Sequence, residues 1–381
     1  EALARWNDPV YGMISPGIFV PVLEEAHLSP QLDLYIIEQV CKDFSAVRRA
    51  LPDWVMLRTS VNLSRVDFRL LDVLQAIEDI RVRYDVSRSM LNIEVTEGAL
   101  SEDEVFLQSE IARLRAAGYE VWMDDFGSGS SSLNNIKDFV FDVIKIDMKF
   151  LRSFEVNPKS RVVLRSIVNM AKELGMHTLA EGVETEEQFA FLREIGCEKV
   201  QGYLFSAPIP LSKAIDFCYG KKAQLTPEPT ELNSYYAEIG RINVLASDPL
   251  QSHSSGMNGE TLSLAILERH DGEIRYLYQS SAFQEFMHSI QLDEESVHTP
   301  HYERRLRQHR RMVVRMMDEA DRTGREVYTD FITHNAFNSM RLHLVTRDAK
   351  DTRAVFLMAT VNISRFSPEA GSMQESLNQI V

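Results

Sequence analysis

Between Glu1 and about Gly220, short apolar runs alternate with amphipathic stretches, the rhythm of repeated βα units. Runs that read as strands lie at Val55–Asn62, Leu91–Thr96, Glu120–Asp125, Val143–Asp147, His177–Glu181 and Lys199–Gln201, with Glu1–Leu3 as a fragment of one more. Between them, apolar positions recur at helical spacing over Leu32–Ala50, Phe68–Tyr84, Glu104–Ala117, Arg161–Leu174 and Glu186–Ile195. Gly118, Gly175 and Gly196 each follow such a helix, where a left-handed C-terminal residue is expected.

Seven strands are one short of a (β/α)8 barrel of the TIM type, and about 200 residues is small but acceptable for that fold. A doubly wound open sheet is the alternative. The polar residues favour the barrel, because nearly every strand ends in a carboxylate or amide: Asn62, Glu94, Asp124 with Asp125, Asp147 and Glu181. A closed barrel gathers the C-terminal ends of its strands at one mouth, whereas an open sheet spreads them across its width.

The rhythm changes after Gly220. Lys221–Ser234, with Pro227 and Pro229 among polar residues, reads as a linker. From Tyr235 to Phe366, strand-like Thr261–Leu267, a turn at Asp271–Gly272 and strand-like Glu273–Tyr278 precede a helical stretch at Tyr302–Thr323. Strand-like Glu326–Thr333, Met340–Thr346 and Val355–Ile363 follow, which suggests a smaller α+β domain on an antiparallel sheet. The predicted organisation is a barrel at 1–220, a linker at 221–234, the α+β domain at 235–366 and a polar tail at 367–381.

Composition narrows the function. With 381 residues, 44% hydrophobic and 25% charged, the chain has the make-up of an ordinary globular protein of two domains. No apolar run is long enough to span a membrane and no signal peptide opens the chain, so a cytoplasmic location is expected. The net charge of −15 argues against a DNA binder, while leaving room for a small anionic ligand at a metal-bearing site. Cys41, Cys197 and Cys218 are too widely spaced for a zinc or redox motif and read as reduced thiols. The chain begins without a methionine, and a further domain could precede Glu1.

The acids at the strand ends carry the chemistry. Glu1, Asn62, Glu94, Asp124, Asp125, Asp147 and Glu181 would crowd one mouth, and neighbouring carboxylates cannot all ionise without compensation. All-oxygen ligands point to Mg2+, Mn2+ or Ca2+ rather than zinc. Adjacent Asp124 and Asp125 can both face inward only if the strand ends at this pair, since successive strand residues alternate. One carboxylate can then bridge two metals, and a pair about 3.5–4 Å apart suits in-line displacement at phosphorus.

The stretches Glu1-Ala2-Leu3 with Arg5-Trp6, Ser60-Val61-Asn62-Leu63-Ser64, Ile93-Glu94-Val95-Thr96-Glu97, Asp124-Asp125-Phe126-Gly127, Lys145-Ile146-Asp147, Ala180-Glu181-Gly182-Val183-Glu184-Thr185 and Gln201-Gly202-Tyr203-Leu204-Phe205-Ser206 follow one another in this order. Together they resemble the EAL phosphodiesterase domains, over Glu1 to about Ser212. The resemblance implies hydrolysis of cyclic di-GMP to linear pGpG with two Mg2+ or Mn2+ ions per site, Ca2+ being inhibitory. By the same resemblance Glu1, Asn62, Glu94 and Asp124 hold the first metal, and Asp124, Asp125 and Glu181 the second, with Asp147 supporting the cluster. Lys145 contacts the attacking water or the phosphate, Arg5 grips a substrate phosphate, and Gln201 lines the cleft. Glu181 is alternatively the general base, and both roles stay open. Glu97 corresponds to the glutamate that pins the loop after Asp125 and couples it to a homodimer formed through the barrel.

The chain departs from the family pattern in two places. Serine replaces the usual threonine at 128 and the usual aromatic at 130, so the loop loses a packing anchor at Ser130. The strand that precedes the EAL stretch in the family is missing from this chain. An EAL-like domain that binds cyclic di-GMP without cutting it, or serves only as a protein-interaction module, is the competing reading.

In the C-terminal part, Leu264–Met287 and the closing Val355–Ser364 are similar to the opening and closing of PAS-type sensor modules. No cysteine follows Cys218, which excludes a flavin–cysteine adduct there. His298, His301 and His309 read as surface residues rather than haem or metal ligands, and Arg304, Arg305, Arg307, Arg310 and Arg311 as a solvated, salt-bridged face. Met312, Met316 and Met317 form a stripe suited to burial or to a dimer contact.

Overall fold

The computed structural model describes residues 1–50, 58–101, 104–127, 136–152, 154, 157–220, 233–246, 263–290, 292, 301–333, 336–348, 350 and 352–362. The chain divides into two units, Glu1–Pro227 and Glu228–Val381.

In the first unit an antiparallel pair, β1 (Trp6–Asp8) and β2 (Gly12–Ile14), leads to helices α1 (Pro16–Glu25) and α2 (Ser29–Ala50). Then come β3 (Thr59–Leu63), α3 (Arg65–Leu70), α4 (Val73–Arg83), β4 (Leu91–Thr96), α5 (Glu104–Ala117), β5 (Glu120–Phe126) and β6 (Val143–Ile146). Next are α6 (Lys149–Arg152), α7 (Pro158–Glu173), β7 (His177–Ala180), α8 (Glu186–Glu194), β8 (Lys199–Val200) and α9 (Leu211–Gly220). Strands β3 to β8 form a six-stranded parallel sheet in chain order, each strand joined to the next by a helical crossover or loop. This is the TIM-like α/β barrel.

Two of the expected elements differ. Glu1–Leu3 is not a strand, yet the Ala2 amide donates to the Ser60 carbonyl of β3 at 2.9 Å, so the segment runs beside the sheet edge. The stretch Phe68–Tyr84 is not one helix. It breaks at extended Leu71, and the Asp72 carboxylate caps α4 by accepting from the Gln75 amide at 3.1 Å. Gly118, Gly175 and Gly196 have the positive φ expected after a helix.

Period-two alternation sorts the side chains inside the barrel into layers. Trp122, Val143 and Leu179 form one buried apolar cluster. Two residues further on stand Asp124 of β5, Lys145 of β6 and Glu181 just past β7, so an apolar floor supports a charged layer at the C-terminal mouth. The intervening Val121, Met123, Ile144, Ile146 and Ala180 are also buried, as expected for strands covered on both faces.

The second unit holds α10 (Asn233–Gly240), β9 (Ser263–His270), β10 (Glu273–Gln279), α11 (Ser281–Ser289), α12 (Tyr302–Thr323), β11 (Val327–Thr333), β12 (Ala336–Arg347) and β13 (Arg353–Asn362). Its strands make one antiparallel sheet in the order β10-β9-β13-β12-β11. Ala265, Leu267, Phe356 and Met358 pack one face against Phe283 and Phe286 of α11 and Val313, Met316 and Met317 of α12. Leu264, Ile266, Val355 and Leu357 cover the opposite face, with Tyr235 of α10. The methionine stripe is therefore buried in this unit's own core. Its arginines behave as expected, with Arg304, Arg307, Arg310 and Arg311 exposed. His301 is exposed, His298 lies outside the described residues, and His309 is buried at 9% exposure, which corrects its reading as a surface residue. Most of the expected linker and all of the polar tail also lie outside the described residues.

Candidate active site

Lys145 is the centre of the charged layer. Only 1% exposed, its ammonium lies 2.8 Å from Glu94 Oε2, 2.8 Å from Asp124 Oδ1, 2.9 Å from Glu181 Oε1 and 3.6 Å from Glu1 Oε2. It donates a hydrogen bond to Glu94, while Asp124 Oδ1 is an ion-pair neighbour outside hydrogen-bond geometry. Around this core, Asn62 Nδ2 donates to Glu1 Oε1 at 3.0 Å. Gln201 Nε2 reaches both Glu1 Oε2 (3.2 Å) and Glu181 Oε1 (2.9 Å). Because Ala2 is bonded to β3 and Gln201 directly follows β8, these contacts link the two edges of the six-stranded sheet through Glu1.

The strand does not end at the two adjacent aspartates as expected: β5 runs on to Phe126, which pairs with Ile146, and a bulge accommodates the pair instead. Met123 pairs with Ile144 and Phe126 with Ile146, so Asp124 and Asp125 together oppose Lys145 alone. Asp125 takes a left-handed conformation (φ 56°), which short Asp side chains tolerate better than most residues. The extra residue and the reversed φ break the alternation, so ligand oxygens of Asp124, Asp125 and Glu181 all lie within 4.8 Å of one another. Just beyond, Gly127 has φ +94°, and its amide donates to buried Glu97 Oε2 at 2.8 Å. Buried Asp147 accepts from the Lys149 amide at 2.8 Å, with the Lys149 ammonium at 3.2 Å.

Electrostatics leave this cluster in need of positive charge. Burial, reinforced by the neighbouring acids against the pull of Lys145, pushes Glu94 and Glu181 each up to about 7. Burial and the adjacent Asp124 raise Asp125 as well. Burial opposes the charge on Lys145, but its four acidic neighbours hold the ammonium well above its usual value. At Glu1 burial is outweighed by Lys145, Gln201 and Asn62, and the carboxyl titrates below its usual range. Two buried oxygens, Glu94 Oε1 and Asp124 Oδ1, have no hydrogen-bond partner. Asp124 Oδ1 has only the ion pair with Lys145 and Glu94 Oε1 has no such neighbour, so one ammonium faces several acids and the all-oxygen donor set fits a hard divalent metal.

The structure thus brings Glu1, Asn62, Glu94, Asp124, Asp125, Lys145, Glu181 and Gln201 into one cluster, with Asp147 and Glu97 at its border. Arg5 is not part of it. This arginine is exposed, and its guanidinium donates to the Ala4 carbonyl at 2.8 Å. Ser128 and Ser130 lie outside the described residues. The bulge at Asp124-Asp125 and the seam through Glu1 and Gln201 have no simple sequence signal.

A TIM-like barrel whose mouth is walled by carboxylates around a buried lysine defines an α/β-barrel protein with a candidate metal centre. Residues 1–208 match the EAL domain model, and the chain belongs to the EAL-domain family. Over 233 residues it is 32% identical to the cyclic di-GMP phosphodiesterase NbdA of Pseudomonas aeruginosa, covering 61% of this chain and 30% of that protein. Over 210 residues it is 33% identical to the oxygen sensor protein DosP of Escherichia coli, covering 55% of this chain and 26% of that protein. The chain therefore spans under a third of the length of these relatives. Among solved structures it is similar to the PaMucR phosphodiesterase in complex with cyclic di-GMP, with a TM-score of 0.51 and 30% identity, over 55% of this chain and 84% of that one. The EAL enzyme Bd1971 with cAMP and cyclic di-GMP gives a TM-score of 0.53 at 29% identity, over 56% of this chain and 58% of that one.

Proposed function

We propose that the barrel unit hydrolyses one phosphodiester of cyclic di-GMP to linear pGpG, using two Mg2+ or Mn2+ ions. The observation that carries this reading is the acid cluster itself, with the oxygens of Asp124, Asp125 and Glu181 within 4.8 Å of one another and Glu94 Oε1 lacking a hydrogen-bond partner, at the mouth of an EAL barrel. Glu1, Asn62, Glu94 and Asp124 are the residues to hold one cation, and Asp124, Asp125 and Glu181 those to hold the other. Bound there, such a pair supplies a hydroxide-like nucleophile and neutralises charge as the diester is displaced. Lys145 offers its ammonium to a phosphate oxygen, and Asp147, tied to the Lys149 amide, keeps its carboxylate beside Asp125. Gln201 orients Glu1 and Glu181 together, while Arg5, exposed on the segment leading from Glu1, is available to the substrate's second phosphate.

The second unit is proposed as a sensor-like, PAS-type module that regulates the barrel, and the barrel as the contact of a homodimer. A monomer by light scattering at micromolar concentrations would remove the dimer from this reading.

The test is turnover of cyclic di-GMP by the purified chain with Mg2+ or Mn2+, against Ca2+, EDTA and a Glu181→Ala variant. Formation of pGpG that needs Mg2+ or Mn2+ and vanishes in the variant is expected. Tight binding without turnover would make the protein a cyclic di-GMP receptor instead.

A further inference from the structure

The turns that follow Asp125 and Glu181 share one support. Each turn passes through a glycine with positive φ, Gly127 at +94° and Gly182 at +69°. Both glycines are also covered by a side chain from outside the turn. A Cβ on Gly127 would stand 2.3 Å from Cε2 and Cζ of Phe150, and one on Gly182 would stand 2.5 Å from Cβ and 3.1 Å from Cε of Met148. Met148 and Phe150 belong to a single tight stretch after β6, where the Phe150 amide donates to the Asp147 carbonyl at 3.1 Å and the Leu151 amide to the Met148 carbonyl at 2.9 Å. Because β6 lies between β5 and β7 in the sheet, Phe150 reaches the turn of one neighbour and Met148 the turn of the other. The backbone is tied in the same way. The Asp147 amide donates to the Phe126 carbonyl at 3.4 Å on one side, and the Glu181 amide donates to the Ile146 carbonyl at 3.1 Å on the other. The Arg152 guanidinium in turn holds the Met148 thioether at 3.1 Å.

Neither side chain belongs to the buried core. Met148 is 36% exposed and Phe150 is half-buried, so each adds little to the burial that drives folding. Both nonetheless touch the two turns whose acids bring ligand oxygens within 4.8 Å of one another. We propose that Met148 and Phe150 are positioning residues that set the separation of Asp125 and Glu181 and thereby the strength of one cation site. This rests on the two-cation reading above, in which Asp125 and Glu181 serve the same cation. The other cation draws on Glu1, Asn62 and Glu94, which lie away from both turns, and on Asp124. A support behind a ligand fixes its direction and is felt in metal affinity without touching the metal.

The test is calorimetric titration of the full chain with Mn2+ for the wild type, Phe150→Leu and Met148→Ala. The wild type should take up two equivalents. In each variant one equivalent should weaken by about 10–100-fold, the loss expected when a ligand's support is removed, while the other is unchanged. Electron paramagnetic resonance gives an independent readout: the exchange-coupled signal of a bridged Mn2+ pair should give way to that of isolated Mn2+. Met148→Leu, which keeps most of the volume, should retain both equivalents and the coupled signal. The thermal midpoint of Met148→Ala in EDTA should stay within about 4 °C of wild type, since an exposed side chain is shortened. Two equivalents in the wild type that weaken together in the variants, in step with a falling midpoint, would make these residues mere packing and overturn the proposal. Two equivalents left untouched in both variants would overturn it as well. A wild type that binds a single Mn2+ would instead remove the two-cation reading, and this inference with it.

Discussion

Replacing Lys145 by methionine distinguishes a cation site from an ordinary buried ion pair. Methionine keeps most of the side chain's length but removes the ammonium that stands within 3.6 Å of Glu1, Glu94, Asp124 and Glu181. Breaking a buried pair costs about 3–5 kcal/mol, because the remaining charge is left uncompensated. With four carboxylates around one cation, the upper end applies. For a unit of this size each kcal/mol moves the midpoint by about 2–4 °C, so the barrel transition should fall by roughly 10–20 °C in EDTA. Divalent cations reverse part of this loss. Binding stabilises the fold by about 2.7 kcal/mol at a hundred times the dissociation constant, and the variant lacks the ammonium that competes for the same oxygens. Thermal denaturation followed by circular dichroism, in EDTA and in millimolar Mn2+, should therefore show a wide gap between wild type and variant that narrows with metal. A gap of equal width in both buffers, or a variant as stable as wild type in EDTA, refutes the reasoning.

Three further outcomes follow from the geometry. Glu97→Ala removes the carboxylate that accepts from the Gly127 amide, a charged hydrogen bond worth about 1.5–3 kcal/mol; calorimetric Mn2+ affinity should drop at least about tenfold, and an unchanged affinity would detach Glu97 from the site. Gly127→Ala places a methyl 2.3 Å from the Phe150 ring at φ +94°, so about 1–3 kcal/mol of stability should be lost; adding Phe150→Ala should relieve the collision but not the backbone strain, so complete recovery in a denaturant titration would contradict this. His309 titrates at about 4 in the fold against about 6.5 unfolded, so the unfolded chain binds the extra proton between those values. The second unit should accordingly lose up to about 3 kcal/mol as pH falls from 6.5 to 4, and His309→Leu should flatten that part of the profile.

The sequence shows which residues meet but not every device that makes them meet. Period-two alternation puts Asp124, Lys145 and Glu181 two positions beyond Trp122, Val143 and Leu179, so a charged layer over an apolar floor is legible once the strands are found. The bulge at Asp124-Asp125 is not, since it contains no glycine or proline and shows only as a register shift and a positive φ. The break between α3 and α4 did carry a signal, Asp72 three residues before Gln75, which a continuous apolar period over Phe68–Tyr84 overrides. His309 was hidden by its arginine neighbours. Yet His309, Val313, Met316, Met317 and Ala320 recur at helical spacing and are all buried, so the stripe itself places the histidine on the inner face.

Charge counting explains why metal and substrate should act together at the mouth. Glu1, Glu94, Asp124, Asp125 and Glu181 face one buried ammonium, while Asp147 has Lys149 for itself. Fully ionised, five carboxylates against one lysine leave four formal negative charges, a number that two divalent cations cancel and one does not. An anionic diester approaching the cation-free cluster meets like charge in a poorly solvated cleft, where repulsion is strong. On the proposed reading, two cations make the same cleft neutral overall and place positive centres beside Glu94 Oε1, which has no hydrogen-bond partner. On the two-metal reading proposed above, substrate affinity is tied to metal occupancy by the cluster's own charge.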